Sequence, residues 1–504
     1  MSAAPELLDM DRVKIDPLWA LRIPATLAVR RQVLPFACVD DVVHVACADP
    51  NDTAALQAVE RFVGRTVRPE EAERDSLRRV LQRVFGNVPP GTSSDTRIPS
   101  VRGDARGNSQ VAADAEAGDA VALCDELLYA AMVREASDIH VDPGKDSIMI
   151  RFRVDGVLET YRSLPVATLS GLVSRYKVLS GMDIAEKRAP QDGGFRHRFS
   201  TTGQGVDIRV ATLPTKHGER MTLRLLALNT ESLTVERLGM APRDLKLFER
   251  TVDMPHGMIL LTGPTGSGKT TTLYAALRRL IARKTDNIIT IEDPIEYDIA
   301  GVAQVEVDSA DKVSFGRALR SVLRHDPDVV MIGEIRDLET ADVAIKASLT
   351  GHLVFSTLHT NSAAGVVTRL ADMGVDRYLI AATLRLAVAQ RLVRRLCERC
   401  RRPRPLTTAE AASLNRVADA GRPIYERVGC KYCANRGFTG RLGLFELLPC
   451  DEQMARLIVD GRGELDLATH ARQQHGGVLV DDAVEKLFAG TTTLGEVMSA
   501  VAIG

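Results

Sequence analysis

The stretch Gly263-Pro-Thr-Gly-Ser-Gly-Lys-Thr270 decides the fold of this chain. It follows the pattern G-x-x-x-x-G-K-T, in which glycines let the backbone amides turn inward around a bound phosphate. The positive end of the following helix adds to this attraction. The pattern predicts that Lys269 reaches the β- and γ-phosphates of a nucleotide and that the Thr270 hydroxyl holds Mg²⁺. The predicted nucleotide-binding residues are Gly263, Pro264, Thr265, Gly266, Ser267, Gly268, Lys269, Thr270 and Thr271.

The flanking sequence favours a phosphate loop over an ordinary glycine-rich turn. A short apolar run of strand length, residues 257–262, precedes the loop, and Leu273, Leu277 and Leu280 follow it at helical spacing. Further along the chain, helical segments separate more apolar runs. The buried parallel strands predicted from these runs are residues 287–292, 328–332 and 353–357. Together they predict a three-layer α/β domain.

Three polar residues lie at or after predicted strand ends, where an open α/β sheet binds its ligand. They are Glu296, Glu334 and His359. Nucleotide hydrolysis needs a metal to neutralise phosphate charge, a carboxylate to orient or activate water, and a sensor for the γ-phosphate. We expect Glu334 beside Mg²⁺. Each residue alone has a structural alternative, such as a satisfied loop histidine for His359, but with the phosphate loop they predict a catalytic site.

Arginines supply positive charge at two further places. Arg320 and Arg324 lie four residues apart on one face of a predicted helix, where spacing alone favours surface salt bridges. Arg209 and Arg224 lie inside alternating strands, so one face of that sheet either is solvated or meets an anion. An arginine from a neighbouring domain or subunit accelerates phosphoryl transfer by about 10³–10⁵-fold. The residues alone leave both alternatives open.

Length and composition limit the number of domains and the classes of partner that the chain can have. At 504 residues the chain has room for about three or four domains. The formal net charge is −1 and aromatic residues make up 4%, which opposes a nucleic-acid stacking channel. No apolar run approaches the roughly eighteen residues that span a bilayer, and residues 1–12 do not resemble a secretory signal. We therefore expect a cytoplasmic protein that reaches a membrane only through a partner.

Changes in composition predict the domain boundaries. A stretch rich in Pro, Gly, Ser, Ala and Asp cannot bury enough apolar surface to fold, so it predicts a flexible linker that lets the first domain move. The predicted segments are residues 1–86 (a small amino-terminal α/β interaction domain), 87–118 (the linker), 119–238 (an α+β domain), 239–396 (the phosphate-loop domain), 397–448 (a cysteine-rich lobe) and 449–504 (a helical region).

Four of the eight cysteines form two C-x-x-C pairs. Each pair turns tightly enough to give two thiolates to one tetrahedral ion, and paired C-x-x-C motifs are typical of structural zinc sites. The interval between them, residues 401–429, exceeds that of short zinc ribbons, and the alternative is two reduced pairs that bind nothing. A redox role is disfavoured, because one such motif suffices for that chemistry. The predicted zinc ligands are Cys397, Cys400, Cys430 and Cys433.

The order of these motifs resembles the secretion ATPase superfamily that drives type II secretion and type IV pilus assembly, and most closely the type II secretion (GspE-like) ATPases. The similarity covers nearly the whole chain. Besides the phosphate loop and the cysteine pairs, the family-like segments are residues 136–143, 190–193, 213–219, 291–296, 323–328, 333–337, 351–361 and 440–446. So many motifs in one order make the resemblance specific.

The resemblance implies a homo-hexameric ATPase that uses ATP, Mg²⁺ and Zn²⁺. Its subunits would have a RecA-like core, a preceding PAS-like α+β domain, a small amino-terminal docking domain, and a carboxyl-terminal zinc-binding and helical region. Glu296 matches the acidic-box carboxylate regarded as the general base, Glu334 the Mg²⁺-linked Walker B acid, and His359 the histidine-box residue. The arginines that would approach the phosphates from two domains are Arg209, Arg224, Arg320 and Arg324.

The resemblance also implies partners. Residues 1–86 would dock on the cytoplasmic part of an inner-membrane assembly protein (GspL-like), and a second platform protein (GspF-like) would bind elsewhere, with no nucleic acid and no direct membrane insertion. Gly194 departs from the family, which usually has arginine after Pro-Gln-Asp-Gly, so that role is lost or passes to Arg196. The first domain lacks the first half of the motif through which related ATPases bind cyclic di-GMP, so we do not predict that ligand.

Several functions compete for these features. The leading one is ATP hydrolysis that drives pseudopilus assembly and protein export by type II secretion, and the second is extension of a type IV pilus by the same chemistry. A RecA-like nucleic-acid motor is opposed by the charge and aromatic content. A GTPase is disfavoured because the chain has no Asn-Lys-x-Asp segment. A purely structural protein would require a vestigial phosphate loop.

Overall fold

The computed structural model describes residues 7–85, 109–199, 205–226, 234–283, 285–307, 314–475 and 477–501. The chain divides into two compact units. The first comprises Met1–Leu228, Cys397–Arg401 and Arg427–Thr439, and the second comprises Asn229–Leu396, Arg402–Glu426 and Gly440–Gly504. The residues predicted as one cysteine-rich lobe, 397–448, are therefore divided between the two units.

The first unit begins with a small α/β domain. Its strands β1 (Val33–Val39) and β2 (Val42–Cys47) pair antiparallel, and β3 (Val67–Glu71) pairs parallel with β2. Its helices are α1 (Pro17–Ala20), α2 (Ala25–Arg31), α3 (Thr53–Val63) and α4 (Arg74–Phe85). The domain is therefore a mixed α/β fold, as the sequence predicts.

The only tryptophan of the chain lies in this first domain. Trp19 packs at the edge of the domain's own hydrophobic core, which contains the fully buried Phe36 and Leu77. The guanidinium carbon of Arg22 lies 4.5 Å from the centroid of the indole ring, a cation–π contact. The domain therefore has a hydrophobic core of its own, against which Val133 and Tyr432 also pack.

A six-stranded antiparallel sheet forms the second domain of the first unit. Its elements are α5 (Ser109–Val133), β4 (Ala136–Pro143), β5 (Ser147–Val154), β6 (Val157–Pro165), α6 (Leu169–Leu179), β7 (Gln191–Arg198), β8 (Gly205–Thr215) and β9 (Gly218–Leu225). The strand order is β6-β5-β4-β9-β8-β7. Because α5 begins at Ser109, the predicted domain start at residue 119 falls inside a helix. The remaining residues of the predicted linker, 87–108, lie outside the described residues.

The second unit is built on a seven-stranded sheet. Its strands are β10 (Gly257–Thr262), β11 (Ile288–Glu292), β12 (Ala303–Glu306), β13 (Val329–Ile332), β14 (Leu353–Leu358) and β15 (Leu384–Leu396), followed by the separate hairpin β16 (Arg402–Pro405) and β17 (Pro423–Glu426) and by β18 (Phe438–Pro449). The sheet order is β12-β11-β13-β14-β10-β15-β18. Strand β18 runs past the predicted boundary at residue 448 because it completes the sheet beside β15.

Helices cover both faces of this sheet. They are α7 (Pro242–Val252), α8 (Lys269–Ile281), α9 (Phe315–Val322), α10 (Leu338–Leu349), α11 (Gly365–Asp372), α12 (Arg377–Thr383), α13 (Thr408–Ser413), α14 (Glu452–Val459), α15 (Glu464–His475), α16 (Leu479–Phe488) and α17 (Leu494–Ala500). Along β10, Met258 and Leu260 point into one hydrophobic core, and Ile259 and Leu261 into the other. The predicted three-layer α/β architecture is confirmed.

Candidate active site and metal centre

The phosphate loop, residues 263–270, connects strand β10 to helix α8. Gly263 has a φ of 145° and Gly268 a φ of 87°, conformations that side-chain-bearing residues rarely adopt. A Cβ at Gly263 would lie 2.4 Å from the Gln390 carbonyl oxygen, and one at Gly268 would lie 2.8 Å from the Gln390 side-chain nitrogen. Glycine is therefore required at both positions. The first turn of α8 lines the cleft beside the loop, where its free amides favour an anion.

A cleft of about 340 Å³ lies beside the loop, at the carboxyl ends of parallel strands. It is lined by residues 265–271 and by Leu273, Glu292, Asp293, Pro294, Glu296, Phe315, Met331, Gly333, Glu334, Thr357, His359, Leu392 and Arg441. The predicted residues Thr270, Glu296, Glu334 and His359 thus share one cavity. The fold explains this, because β10, β11, β13 and β14 run parallel and end at the same edge.

Lys269 is half-buried at the start of α8 and contacts the loop itself. Its Nζ donates to the carbonyl oxygens of Gly263 at 2.8 Å and Pro264 at 3.2 Å. Burial lowers the pKa of Lys269, while the nearby negative charge of Glu334 opposes that shift. The ammonium group is held over the loop, in the position from which a lysine of this motif reaches phosphate oxygens.

Glu334 follows strand β13 and is a mostly buried acid. Its carboxylate pairs with Arg336, and its Oε2 lies 3.3 Å from Nε2 of His359. Burial by itself would raise the pKa of Glu334, but Arg336 and His359 outweigh it and lower that pKa. The carboxylate is therefore ionised at neutral pH. Together with the Thr270 hydroxyl it offers the oxygen ligands that Mg²⁺ prefers.

Two glutamates at and after the end of β11 have different surroundings. Glu296 is exposed and accepts a hydrogen bond from the Thr270 hydroxyl at 3.3 Å. Glu292 is buried, accepts a hydrogen bond from the Thr290 hydroxyl at 2.6 Å and pairs with the Tyr274 hydroxyl. Burial and the contact with Glu292 raise the pKa of Tyr274. Glu292 is thus committed to a buried network, whereas Glu296 faces the cleft.

A threonine that sequence analysis did not identify connects two parts of the site. Thr262, the last residue of β10, is completely buried. Its hydroxyl oxygen accepts a hydrogen bond from the Thr360 amide at 2.7 Å and lies 2.8 Å from the Thr360 hydroxyl. It also lies 3.3 Å from the Leu358 carbonyl oxygen. Because His359 stands between Leu358 and Thr360, these contacts fix the backbone on both sides of His359.

The two arginines that were predicted on one helix lie outside the cleft, and Arg324 lies beyond the end of α9 at Val322. Nη2 of Arg320 lies 2.8 Å from Oε1 of Glu339. Arg324 donates to the backbone carbonyl oxygen of Arg320 at 3.0 Å. Neither residue is among those that line the described cleft. The surface pairing that the spacing favoured is present for Arg320.

The two strand arginines lie in the first unit, directly opposite each other on β8 and β9. Arg224 is well exposed, and its Nε donates to Asp138 at 2.9 Å. On the opposite edge of β8, the pairing partner of Arg209 is Gly194 on β7. Gly194, Arg209 and Arg224 therefore lie side by side on three neighbouring strands. Arg196 lies two residues further along β7 and is exposed. The sheet therefore carries a strip in which Arg209 and Arg224 are adjacent.

Two arginines near the nucleotide cleft were missed by the sequence analysis. Arg441 lines the cleft and is exposed. Arg391 lies beside the loop, where its guanidinium donates to the carbonyl oxygens of Gln390 at 3.1 Å and Asn361 at 3.2 Å. Burial lowers the pKa of Arg391. Arg441 belongs to the family-like segment 440–446, which was a usable signal; Arg391 lies in β15, which carries three further arginines, and nothing in the sequence distinguishes it from them.

The four predicted zinc ligands come together in the first unit. Their Sγ atoms all lie within 4.8 Å of one another. The separations are 3.9 Å for Cys397–Cys430, 4.0 Å for Cys400–Cys433 and 3.8 Å for Cys430–Cys433. A regular tetrahedron with Zn–S bonds of about 2.3 Å has S···S edges of about 3.8 Å. The four thiols therefore fit a zinc ion.

Backbone amides surround this sulfur cluster. Gly429 donates to Sγ of Cys400 at 3.3 Å, and Gly437 donates to Sγ of Cys433 at 3.1 Å. Hydrogen bonds from Cys397 and Cys430 lower the pKa of Cys433. Such bonds stabilise thiolates, the form that binds a metal. All eight cysteines are free thiols, so the cluster is not a pair of disulfides.

Comparison with known proteins agrees with this geometry. A family model described as "Type II/IV secretion system protein" matches residues 113–499. The chain belongs to the type II/IV secretion system protein family. A second model, the MshEN domain, matches residues 5–90, which include the described first domain. Among the helices that the structure describes, none has the length and apolar character needed to cross a bilayer.

Relatives place this secretion-family chain among ATP-hydrolysing enzymes. It is 42% identical over 491 residues to the type II secretion system protein E of Pseudomonas aeruginosa, covering 95% of each chain. It is 37% identical over 509 residues to the type IV pilus assembly ATPase PilB of Myxococcus xanthus, covering 98% of this chain and 88% of that one. The crystal structure of the pilus retraction motor PilT with bound ADP aligns with a TM-score of 0.53 and 27% identity, covering 75% of this chain and 97% of PilT.

Proposed function

We propose that this chain hydrolyses ATP in the cleft beside the phosphate loop and uses the energy to drive pseudopilus assembly and protein export by a type II secretion system. The convergence of Lys269 and Thr270 with Glu296, Glu334 and His359 in one cavity carries the proposal. The high identity to a type II secretion system protein E along nearly the whole chain supports the choice of system.

Each cleft residue has a role that its surroundings support. Lys269 and the loop amides bind the β- and γ-phosphates. Thr270 and Glu334 would hold Mg²⁺, which neutralises phosphate charge when bound. Glu296, exposed and hydrogen-bonded to Thr270, accepts the proton of the attacking water. His359 is paired with the ionised Glu334 and contacts the γ-phosphate. Through this pair, binding of the γ-phosphate affects the residues at the strand ends.

The positive charge that completes the reaction comes from arginines outside the described cleft. In a homo-hexamer, Arg209 and Arg224 of one subunit, Arg320 on helix α9 and Arg324 just after that helix are brought towards a shared nucleotide. The exposure of Arg224 and the adjacency of Arg209 support such a strip facing an anion. Arginines delivered across an interface stabilise the transition state of phosphoryl transfer by neutralising its equatorial oxygens.

Partners and location follow from the same assignment. The first domain, residues 1–86, would bind the cytoplasmic part of a GspL-like inner-membrane protein, and a GspF-like platform protein would be a second partner. The ATPase would then be peripheral to the inner membrane. Cys397, Cys400, Cys430 and Cys433 would hold Zn²⁺ as a structural ion.

Extension of a type IV pilus is the second candidate function. The identity to PilB of Myxococcus xanthus over 98% of this chain favours it. Deleting the gene in the source organism separates the two functions. We expect loss of protein export with intact pilus extension, and the chain should restore export in the deletion strain; restoration of pili alone would transfer the assignment to pilus assembly.

ATP turnover of the purified chain tests the chemistry directly. We expect Mg²⁺-dependent hydrolysis that rises on hexamer assembly and again when the cytoplasmic domain of the GspL-like partner is added. Glu334→Gln should retain ATP binding and lose turnover. Equal activity in a strictly monomeric form, or stimulation by DNA, would contradict the proposal.

A further inference from the structure

The turn Cys430-Lys431-Tyr432-Cys433, here called the cysteine knuckle, carries more than two metal ligands. Its two middle residues contact the first domain, residues 7–85, within the same compact unit. Nζ of Lys431 lies 2.6 Å from Oε2 of Glu70, and Tyr432 packs against the hydrophobic core of the first domain. The Lys14 amide donates to the Tyr432 carbonyl oxygen at 2.9 Å. An ion pair, an apolar contact and a backbone hydrogen bond thus meet at one turn.

The ion pair at this contact is shielded from solvent. The side chains of Lys431 and Glu70 are 24% and 19% exposed. The other carboxylate oxygen of Glu70 lies 2.9 Å from Nδ1 of His44, so Glu70 is held in place from both sides. Breaking a shielded pair leaves a charge with less solvent to compensate it than at an open surface. The position of Lys431 therefore affects how firmly the first domain is held.

The knuckle supplies two of the four thiols of the sulfur cluster. Among the described residues of segments 397–401 and 427–439, Tyr432 alone joins a hydrophobic cluster, and that cluster belongs to the first domain. Ala434 and Asn435, which follow the knuckle, have φ values of 49° and 62°, a left-handed conformation that needs support from its surroundings. The Cys430 amide donates to Sγ of Cys433 at 3.3 Å. Cys433, Ala434 and Phe438 are buried in or next to this turn, and two of the four cluster sulfur atoms belong to the turn itself, so closure around a zinc ion would fix its shape.

The first domain has a second attachment that does not involve the cysteines. Next to the carboxyl end of helix α5, Nη1 of Arg134 lies 2.8 Å from Oδ1 of Asp16. Val133 also packs against the core of the first domain. Loss of the knuckle contact would therefore loosen one side of the domain without detaching it.

We propose that the tetracysteine site is an intramolecular dock for the first domain. With zinc bound, the closed knuckle presents Lys431 and Tyr432 to Glu70 and Lys14. Without zinc, the turn loses its shape and the first domain comes away on that side. Metal occupancy thereby sets the freedom of the domain that the proposed function assigns to the membrane partner. The dock itself does not depend on ATP hydrolysis, so the two proposals can fail separately.

Hydrogen exchange measured by mass spectrometry on the full-length chain tests the dock. We compare the zinc-loaded protein with the same protein after chelation, verifying the zinc content of each. Chelation should speed exchange of the Lys14 amide and of peptides covering β3 by at least about tenfold, because their contacts with the knuckle open. Peptides from helix α8 should be unchanged. Unchanged exchange in the first domain after verified loss of zinc would overturn the proposal.

A charge-reversal series keeps the test decisive if the chelated chain unfolds as a whole. Lys431→Glu retains all four thiols, so it should bind one zinc per chain while the Lys14 amide exchanges faster. The double variant K431E/E70K should recover part of the protection, since it restores opposite charges. Lys145→Glu, at an exposed lysine of the same unit, is the matched control and should behave as wild type. Wild-type exchange in zinc-loaded K431E would refute the dock.

Discussion

The nucleotide cleft and the cysteine cluster are both built for ligands, yet in opposite ways. In the cleft, charged groups have protein partners: Lys269 contacts two carbonyl oxygens, and Glu334 pairs with Arg336 and His359. In the cluster, four sulfur atoms face one another within 4.8 Å. A nucleotide competes with existing partners and can leave, whereas an ion among the thiols has no substitute. The cleft is therefore built for exchange and the cluster for retention.

Removing a cluster ligand should produce the largest effect and leave the cleft untouched. Cys433→Ser is expected to lose most of the bound zinc, and with it much of the roughly 10–16 kcal/mol that such an ion contributes to folding its surroundings. Binding of a fluorescent ATP analogue should stay within about twofold, because the cleft lies in the other unit. Zinc content, thermal melting and analogue titration measure the three quantities. Cys450→Ser, at a cysteine outside the cluster, is the control; equal loss of zinc and nucleotide binding would contradict this separation.

Removing a charged residue of the cleft should reduce ATP hydrolysis and leave zinc binding by the cysteine cluster unchanged. Lys269→Ala removes the charge that stabilises the transferred phosphate, so we expect turnover to fall by about 10³-fold or more, close to 4 kcal/mol. Zinc content should remain that of the wild type. Steady-state ATP hydrolysis and metal analysis of the same preparation provide the measurement. Lys246→Ala, at an exposed lysine on helix α7, should hydrolyse ATP normally; comparable loss in both variants would indicate a general defect.

A smaller effect is expected from a residue that positions His359 without contacting ATP. Thr262→Val keeps the side-chain shape and removes the hydroxyl that holds both sides of His359. We expect kcat to fall by about tenfold, or about 1.4 kcal/mol, with KM for ATP changed by less than about twofold. Thr262→Ser should restore most of kcat, because it keeps the hydroxyl. A rise in KM that accounts for the whole loss would point to a distorted phosphate loop instead.

The smallest effect concerns the pH dependence of the cleft. The pKa of folded Glu334 is lowered, so its contribution to stability is present above the unfolded value of about 4.3 and is lost as pH falls through the lower folded value. His359→Ala removes one cause of that lowering. The acid limb of the residual kcat profile should therefore move to higher pH. His256→Ala, at an exposed histidine before β10, should leave the limb in place, and a downward shift in His359→Ala would exclude this pairing.

Most of the second unit could be predicted from the sequence because its signals are local. The glycine spacing of the phosphate loop and the apolar runs of the central strands each lie within a few residues, and parallel strand ends must meet at one edge. The C-x-x-C pairs likewise carry their geometry in their spacing. For this reason the residue pattern alone is enough to place Thr270, Glu334 and His359 at one cleft and the four cysteines in one cluster, while their roles stay predictions.

The rest could not be predicted because it depends on contacts between distant residues. Thr262 acts through the backbone near Thr360, and nothing in an apolar strand marks its last residue as a partner of a loop ninety-eight positions later. Arg391 is one of four arginines on β15, and the sequence does not distinguish it from the other three. The ends of β18 and α5 differ from the predicted segment limits at residues 448 and 119 for a related reason, since both elements continue where they have pairing or packing partners. Neither the distant hydrogen-bond partners nor the pairing and packing partners can be read from sequence composition.

The single tryptophan beside Arg22 has a practical consequence. Since Trp19 is the only indole in the chain, fluorescence excited at the red edge of its absorption originates from the first domain alone. The ATPase core and the cysteine cluster contain no tryptophan, so they do not contribute to this emission. The protein therefore carries a built-in, label-free reporter whose emission and anisotropy follow one domain while nucleotide and metal are varied elsewhere.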